Sequence, residues 1–217
     1  MSTPEDLAAK LGFIAAFFDD LLDKAAYCAT LYHGNRDDEA RLLTCVYLES
    51  LGNGVFHPST RYAANFCHLL AAYGDTPRLS LVTPRWLLDR LPWRSANQQT
   101  ATAIRTLLTS LPQEEAFLLP ELEDLARRHL SLKAQHFLER ESWLGTTAMV
   151  IYGELRSPAA HFFGSPAGIL FSRTTWRGQP LGRIGFEDLH TALTKAVEAV
   201  RALSLSSGYW FGNPDVP

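Results

Sequence analysis

Apolar residues recur at intervals of three and four along most of this chain, the spacing of one buried helix face. Thr3-Pro4-Glu5-Asp6 reads as a helix start, with Pro at the first helical position and acids in the first turn. Leu7, Leu11, Ile14, Phe17, Phe18, Leu21, Leu22, Ala25 and Cys28 then trace the inner face of a long first helix. It should stop near His33-Gly34-Asn35, where Asn35 can cap a second helix that opens on Asp37, Asp38 and Glu39. Leu42, Leu43, Val46, Tyr47 and Leu51 give that helix its apolar face, and Gly52-Asn53-Gly54 is expected to end it. A third helix is expected from about Pro58-Ser59-Thr60 to Tyr73-Gly74, with Tyr62, Phe66, Leu69 and Leu70 inward.

The periodicity then lapses. Residues 75–97 are punctuated by Pro77, Pro84 and Pro92, around a short apolar stretch (Leu79 to Val82) and a short helix (Arg85 to Leu91). Two or three helices follow between Asn97 and Glu141, with Pro112 and Pro120 marking their ends. Another helix is expected from Trp143 to Glu154. Ile169 to Trp176 is the best strand, because Phe171, Thr174, Thr175 and Trp176 favour extended backbone, and Gly178-Gln179-Pro180 reads as the turn after it. Phe186 to Leu203 closes the chain with an amphipathic helix whose face is Phe186, Leu189, Leu193, Val197 and Val200. The expected class is mainly α: one domain over residues 1–217, a helical bundle with a small β-hairpin inserted before the last helix.

Composition sharpens this picture. Hydrophobic residues are 47% and charged residues 20% of the 217, enough apolar material for a sizeable core. The net charge of −3 argues against a protein that coats nucleic acid through overall basicity. Charge is nevertheless segregated. Residues 1–75 hold ten acids and five bases, while residues 76–111 hold five Arg against Asp89 alone. Residues 146–186 hold Arg156, Arg173, Arg177 and Arg183 against Glu154 alone. Cys28, Cys45 and Cys67 lie in apolar helical patterns without metal or redox spacing, so buried free thiols are expected. The acidic N-terminus and the lack of an 18-residue apolar run predict a cytoplasmic protein with no membrane contact.

No phosphate-cradling glycine loop, His-Glu-x-x-His or paired-Cys motif occurs, so no cofactor or metal is expected. One segment carries chemistry: Tyr152-Gly153-Glu154-Leu155-Arg156-Ser157-Pro158-Ala159-Ala160-His161, with Arg and His separated by four residues. Arg61 and His68, and Arg183 and His190, are each separated by six. The first pair differs in its flanks, a polar Ser157 after the Arg and Ala160 before the His. Pro158 should break or kink the helix there.

The Arg156-to-His161 segment resembles the signature of the HEPN superfamily, helical bundles that include RNA-cleaving toxins and phage-defence effectors. The resemblance covers about residues 140–205. It implies a metal-independent endoribonuclease with Arg156 and His161 as catalytic pair, a homodimer in which two such pairs face each other, RNA as substrate, and a cognate partner protein. Two other readings stand beside it: a silent bundle of the same kind that binds RNA or a protein, and a non-catalytic helical adaptor in which Arg156 only caps its helix and His161 packs beside Phe162 and Phe163. Arg173, Trp176 and Arg177 are the candidate substrate-binding residues, able to stack on a base and hold its phosphate, or else to guard an exposed hairpin edge. Arg127-Arg128-His129 reads as a solvated face, and Trp210-Phe211 as a C-terminal segment docked on the body or on a partner.

Overall fold

A computed structural model describes residues 4–56, 61–156 and 168–212. The fold is mainly α, as the periodicity predicts, with a small sheet before the last helix. Helix α1 spans Pro4–His33, α2 Asp37–Val55 and α3 Tyr62–Tyr73. A short strand β1 (Leu81–Val82) leads into α4 (Pro84–Arg90) and α5 (Gln98–Ser110). Strand β2 (Glu115–Leu118) precedes α6 (Leu119–His129), α7 (Leu132–Glu141) and α8 (Thr147–Ile151). The hairpin β3 (Ile169–Trp176) and β4 (Gln179–Ile184) feeds α9 (Phe186–Ser207).

The main core joins α1, α2, α3, α8 and α9 to the inner face of the hairpin, through residues such as Ile14, Phe18, Leu48, Phe66, Ile151, Phe171, Leu193 and Val197. A second core is built by α4 to α7 from Leu87, Ile104, Leu108, Leu122, Ala126, Phe137 and Leu138. The irregular stretch expected at 75–97 is thus the passage between two packed groups of helices. Local capping explains its order. Thr83 accepts from the Trp86 amide at 3.3 Å with Pro84 at the first position of α4, and Asn97 accepts from the Thr100 amide at 2.8 Å to start α5.

Gly52-Asn53-Gly54 does not end α2, which continues to Val55. These glycines serve close approach instead. A Cβ on Gly52 would lie 2.8 Å from the Asn65 carbonyl oxygen of α3, and one on Gly54 would lie 2.7 Å from the Phe211 ring. Asn35 does not cap α2 either. It takes a left-handed φ of 59° as α1 ends, and Arg36 precedes α2. The helix expected over Trp143–Glu154 is broken, because Thr146 is extended and caps α8 through the Met149 amide at 3.1 Å.

The sheet exceeds the expected hairpin. Its order is β1-β2-β3-β4, with β2 parallel to β3 and the other pairs antiparallel. Strand β3 has the predicted bounds, but the turn is Arg177-Gly178, with φ of 53° and 74°. Two positive φ values match the right-handed twist of a two-residue hairpin, and Gln179-Pro180 belongs to β4. Arg78 staples this hairpin to the bundle: its guanidinium donates to the Leu181 and Arg183 carbonyls at 2.7 and 2.8 Å and to Asp188 of α9 at 3.1 Å.

Candidate functional site

The Arg of the motif stands at the end of a local distortion. After α8, Tyr152–Arg156 forms a π turn, a wider coil than the α-helix it follows. Such turns leave the regular ladder and recur at functional sites. Tyr152 packs edge-on against Phe66 of α3, with ring centroids 5.4 Å apart, which ties the turn to the main core. His161, Ser157, Pro158 and Ala160 lie outside the described residues, as does the Arg156 side chain.

A groove of about 410 Å³ opens beside this turn, bounded by Glu154 on one side of the motif segment and Gly168 on the other. Its walls come from three elements. The first turn of α4 gives Arg85 and Trp86, the segment just before β2 gives Gln113 and Glu114, and β3 gives Ser172 and Arg173. The Thr83 cap and Pro84 set the direction in which Arg85 and Trp86 leave the backbone. The backbone at Glu114 is held from both sides: its carbonyl accepts from the Thr175 backbone amide at 2.8 Å, and the side-chain amide of the preceding Gln113 donates through Nε2 to the Leu108 and Leu111 carbonyls at 2.8 Å each. Arg85 pairs with Glu114 at 2.9 Å, with 51% and 45% of the two side chains exposed. Trp86 is half-buried against Phe171, ring centroids 5.5 Å apart.

The three hairpin residues do not share one surface. Phe171 and Thr174 are the buried positions of β3, separated by an irregularity in the ladder. Arg173 lies on the groove side, exposed and without a hydrogen-bonded or ionic partner among the described residues. Trp176 is half-buried against the main core, with its indole N–H enclosed and unpartnered among the described residues. Arg177 is 69% exposed, sits 5.1 Å over the Trp176 ring, and donates its backbone N–H to Glu115 at 2.8 Å. That face of Trp176 is therefore occupied by the neighbouring guanidinium. The second surface, with Glu115, Glu121 and Arg128, lies apart from the residues that line the groove.

In the other two Arg and His pairs the histidine is engaged in packing. His68 lies 5.8 Å from the Phe56 ring, and burial pushes its pKa below the ordinary 6.5. His190 bonds the Ala25 carbonyl at 3.0 Å and stacks on Phe186. Arg127 pairs with Asp124 on the exposed side of α6, the solvated face expected of Arg127-Arg128-His129. Trp210 and Phe211 dock on α1, with Phe17 centroids 5.4 and 5.8 Å away. The three cysteines are buried and free, and burial pushes the Cys67 thiol up to about 12.

Arg85, Trp86, Glu114 and Glu154 were not singled out by the sequence. The Thr83-Pro84 start of α4 is a readable signal for the first two. Glu114 carries none, because β2, the strand it precedes, is four residues long and lacks alternation. Among the described residues no cluster of three metal-ligating side chains occurs. Compared with protein-family models, curated proteins and solved structures, the chain matches none.

Proposed function

We propose that this protein is a HEPN-like helical protein that binds RNA and cleaves it without metal, with Arg156 and His161 as the reacting pair. The observation that supports this reading is the π turn Tyr152–Arg156, whose Glu154 lines a groove furnished with Arg85 and Arg173. The RNA 2′-oxygen attacks the adjacent phosphorus while His161 takes its proton. The bond from phosphorus to the 5′-oxygen breaks, leaving a 2′,3′-cyclic phosphate and a 5′-hydroxyl whose proton returns from the imidazolium or from water. An imidazole titrates near neutrality and suits the proton transfers. A guanidinium offers a planar fork of donors to the phosphoryl oxygens as their charge grows. The test is product chemistry: RNA incubated with chelator should yield cyclic phosphate ends. Arg156→Ala should lose most of the rate, and Arg156→Lys should recover part of it. Linear 3′-hydroxyl products, or a strict metal requirement, would reject this mechanism.

The reading also takes the protein to be a homodimer. Support comes from α1, where Phe13 is 71% exposed and Leu7, Phe17 and Tyr27 are partly exposed, while Ile14, Phe18 and Leu21 of the same helix are buried. Apolar faces left over by one core are commonly covered by a second copy. Sedimentation at micromolar concentration should give a dimer, and Phe13→Asp a monomer. A wild-type monomer would remove the composite site.

A non-catalytic helical adaptor is the competing reading. The same exposed side of α1 favours it, since that surface would serve a protein partner equally well. A partner-binding protein that leaves RNA intact would decide for it.

A further inference from the structure

Among the described residues that line the groove, two guanidinium groups, Arg85 and Arg173, stand with two carboxylates, Glu114 and Glu154. A trough that only tracked a phosphate backbone would be uniformly basic. Balanced charge with fixed directions is what hydrogen-bond readout of a base edge requires.

Resting on the RNA reading above, we propose that this groove selects guanine, with Glu114 and Arg85 as the specificity-determining residues. Arg85 Nη1 engages one carboxylate oxygen of Glu114 at 2.9 Å, and neither side chain has another side-chain partner among the described residues. The pair therefore presents carboxylate acceptors directly beside guanidinium donors. Guanine alone among the four bases offers the matching run: two adjacent donors (N1–H and N2–H) and then the acceptors O6 and N7. Adenine and cytosine place a ring acceptor where Glu114 needs a donor. Uracil has one N–H flanked by two carbonyls, which a carboxylate repels. Trp86, half-buried on Phe171, supplies an indole surface against which the base can stack. Arg173, exposed on β3, is left for the phosphate of the same nucleotide. The volume of about 410 Å³ lies within the range of small-ligand sites. The Glu114 backbone is held by the Thr175 amide and by the side-chain bonds of the neighbouring Gln113, which limits the ordering needed on binding to the Glu114 side chain.

The experiment titrates guanosine, adenosine, cytidine and uridine 5′-monophosphates into the full chain carrying His161→Ala, by calorimetry. The guanosine nucleotide should bind at least about tenfold more tightly than the others, a difference of ~1.4 kcal/mol. Glu114→Gln keeps the shape but turns one acceptor into a donor, and should bring the four affinities to within about twofold of one another. Arg173→Ala should weaken all four alike. Because the Glu114 side chain is 45% exposed and Arg173 is exposed, neither variant threatens the fold, and circular dichroism checks this. Equal binding of all four, binding of none at millimolar concentration, or a guanine preference that survives Glu114→Gln overturns the proposal. The outcome is separable from catalysis. Guanine preference without RNA cleavage by the wild type leaves this inference standing and removes the ribonuclease; cleavage with no base preference does the reverse.

Discussion

Gly12→Ala and Gly52→Ala make the same chemical change inside two helices, and the first should stabilise the protein while the second should leave it unchanged or destabilise it. In a helix interior, Gly→Ala contributes about 1 kcal/mol through backbone entropy. Gly12 of α1 is open, with nothing within 4 Å of an added Cβ, so that gain should appear almost whole. At Gly52 the new methyl meets the backbone of α3, 2.8 Å from the Asn65 oxygen and 3.0 Å from its carbon. Backbone cannot rotate away, so α2 and α3 must separate. Overpacking of this kind costs about 1–3 kcal/mol, which cancels or exceeds the propensity gain. The two variants should therefore differ by about 1–3 kcal/mol, or at least about 2 °C in melting temperature for a chain of this size. The assay is urea and thermal unfolding in dilute solution. Equal shifts in the two variants, or a more stable Gly52→Ala, would refute the close approach of α2 and α3. The consequence reaches the candidate site, because Phe66 of α3 is the ring on which Tyr152 of the π turn rests.

Two further outcomes follow from the packing. Arg78→Ala removes three charge-assisted contacts that hold β4 to α9, and since the side chain is 35% exposed the loss should be about 2 kcal/mol by urea unfolding, with Arg78→Lys recovering part of it. Cys67 should resist thiol reagents until the chain unfolds; its folded value of about 12 lies above the ordinary 9.0, so the unfolded chain deprotonates first and stability falls as pH rises between those values, a slope that Cys67→Ala should reduce.

Long-range periodicity made the helices legible. Of the face expected of α1, Ile14, Phe18, Leu21, Ala25 and Cys28 are buried while Leu7 and Phe17 stay exposed, and in α9 Leu189, Leu193, Val197 and Val200 are buried as their spacing requires. Strand β3 was legible because β-branched and aromatic residues cluster between turn signals. What escaped is set by contacts between distant segments. Gly52 reads locally as a helix terminator, and only the α3 backbone reveals why glycine is needed there. Strands β1 and β2 are too short to show alternation, and exist because β3 and a neighbouring edge accept their hydrogen bonds. The candidate site divides in the same way. Arg156 and His161 were legible as a local motif, while Arg85, Trp86 and Glu114 meet across β2 and α4, where no sequence spacing records them.

The proposed activity is metal-independent cleavage of RNA by Arg156 and His161. The most direct measurement incubates purified wild type and His161→Ala with a mixed RNA pool in the presence of a chelator and counts new ends. The wild type should cleave, and the variant should fall by about 10²–10⁴ in rate while keeping its circular dichroism and melting temperature, since only a proton-transfer group has been removed. Equal cleavage by both proteins, or cleavage by neither once partner proteins are stripped away, would contradict the account and leave a binding module in its place.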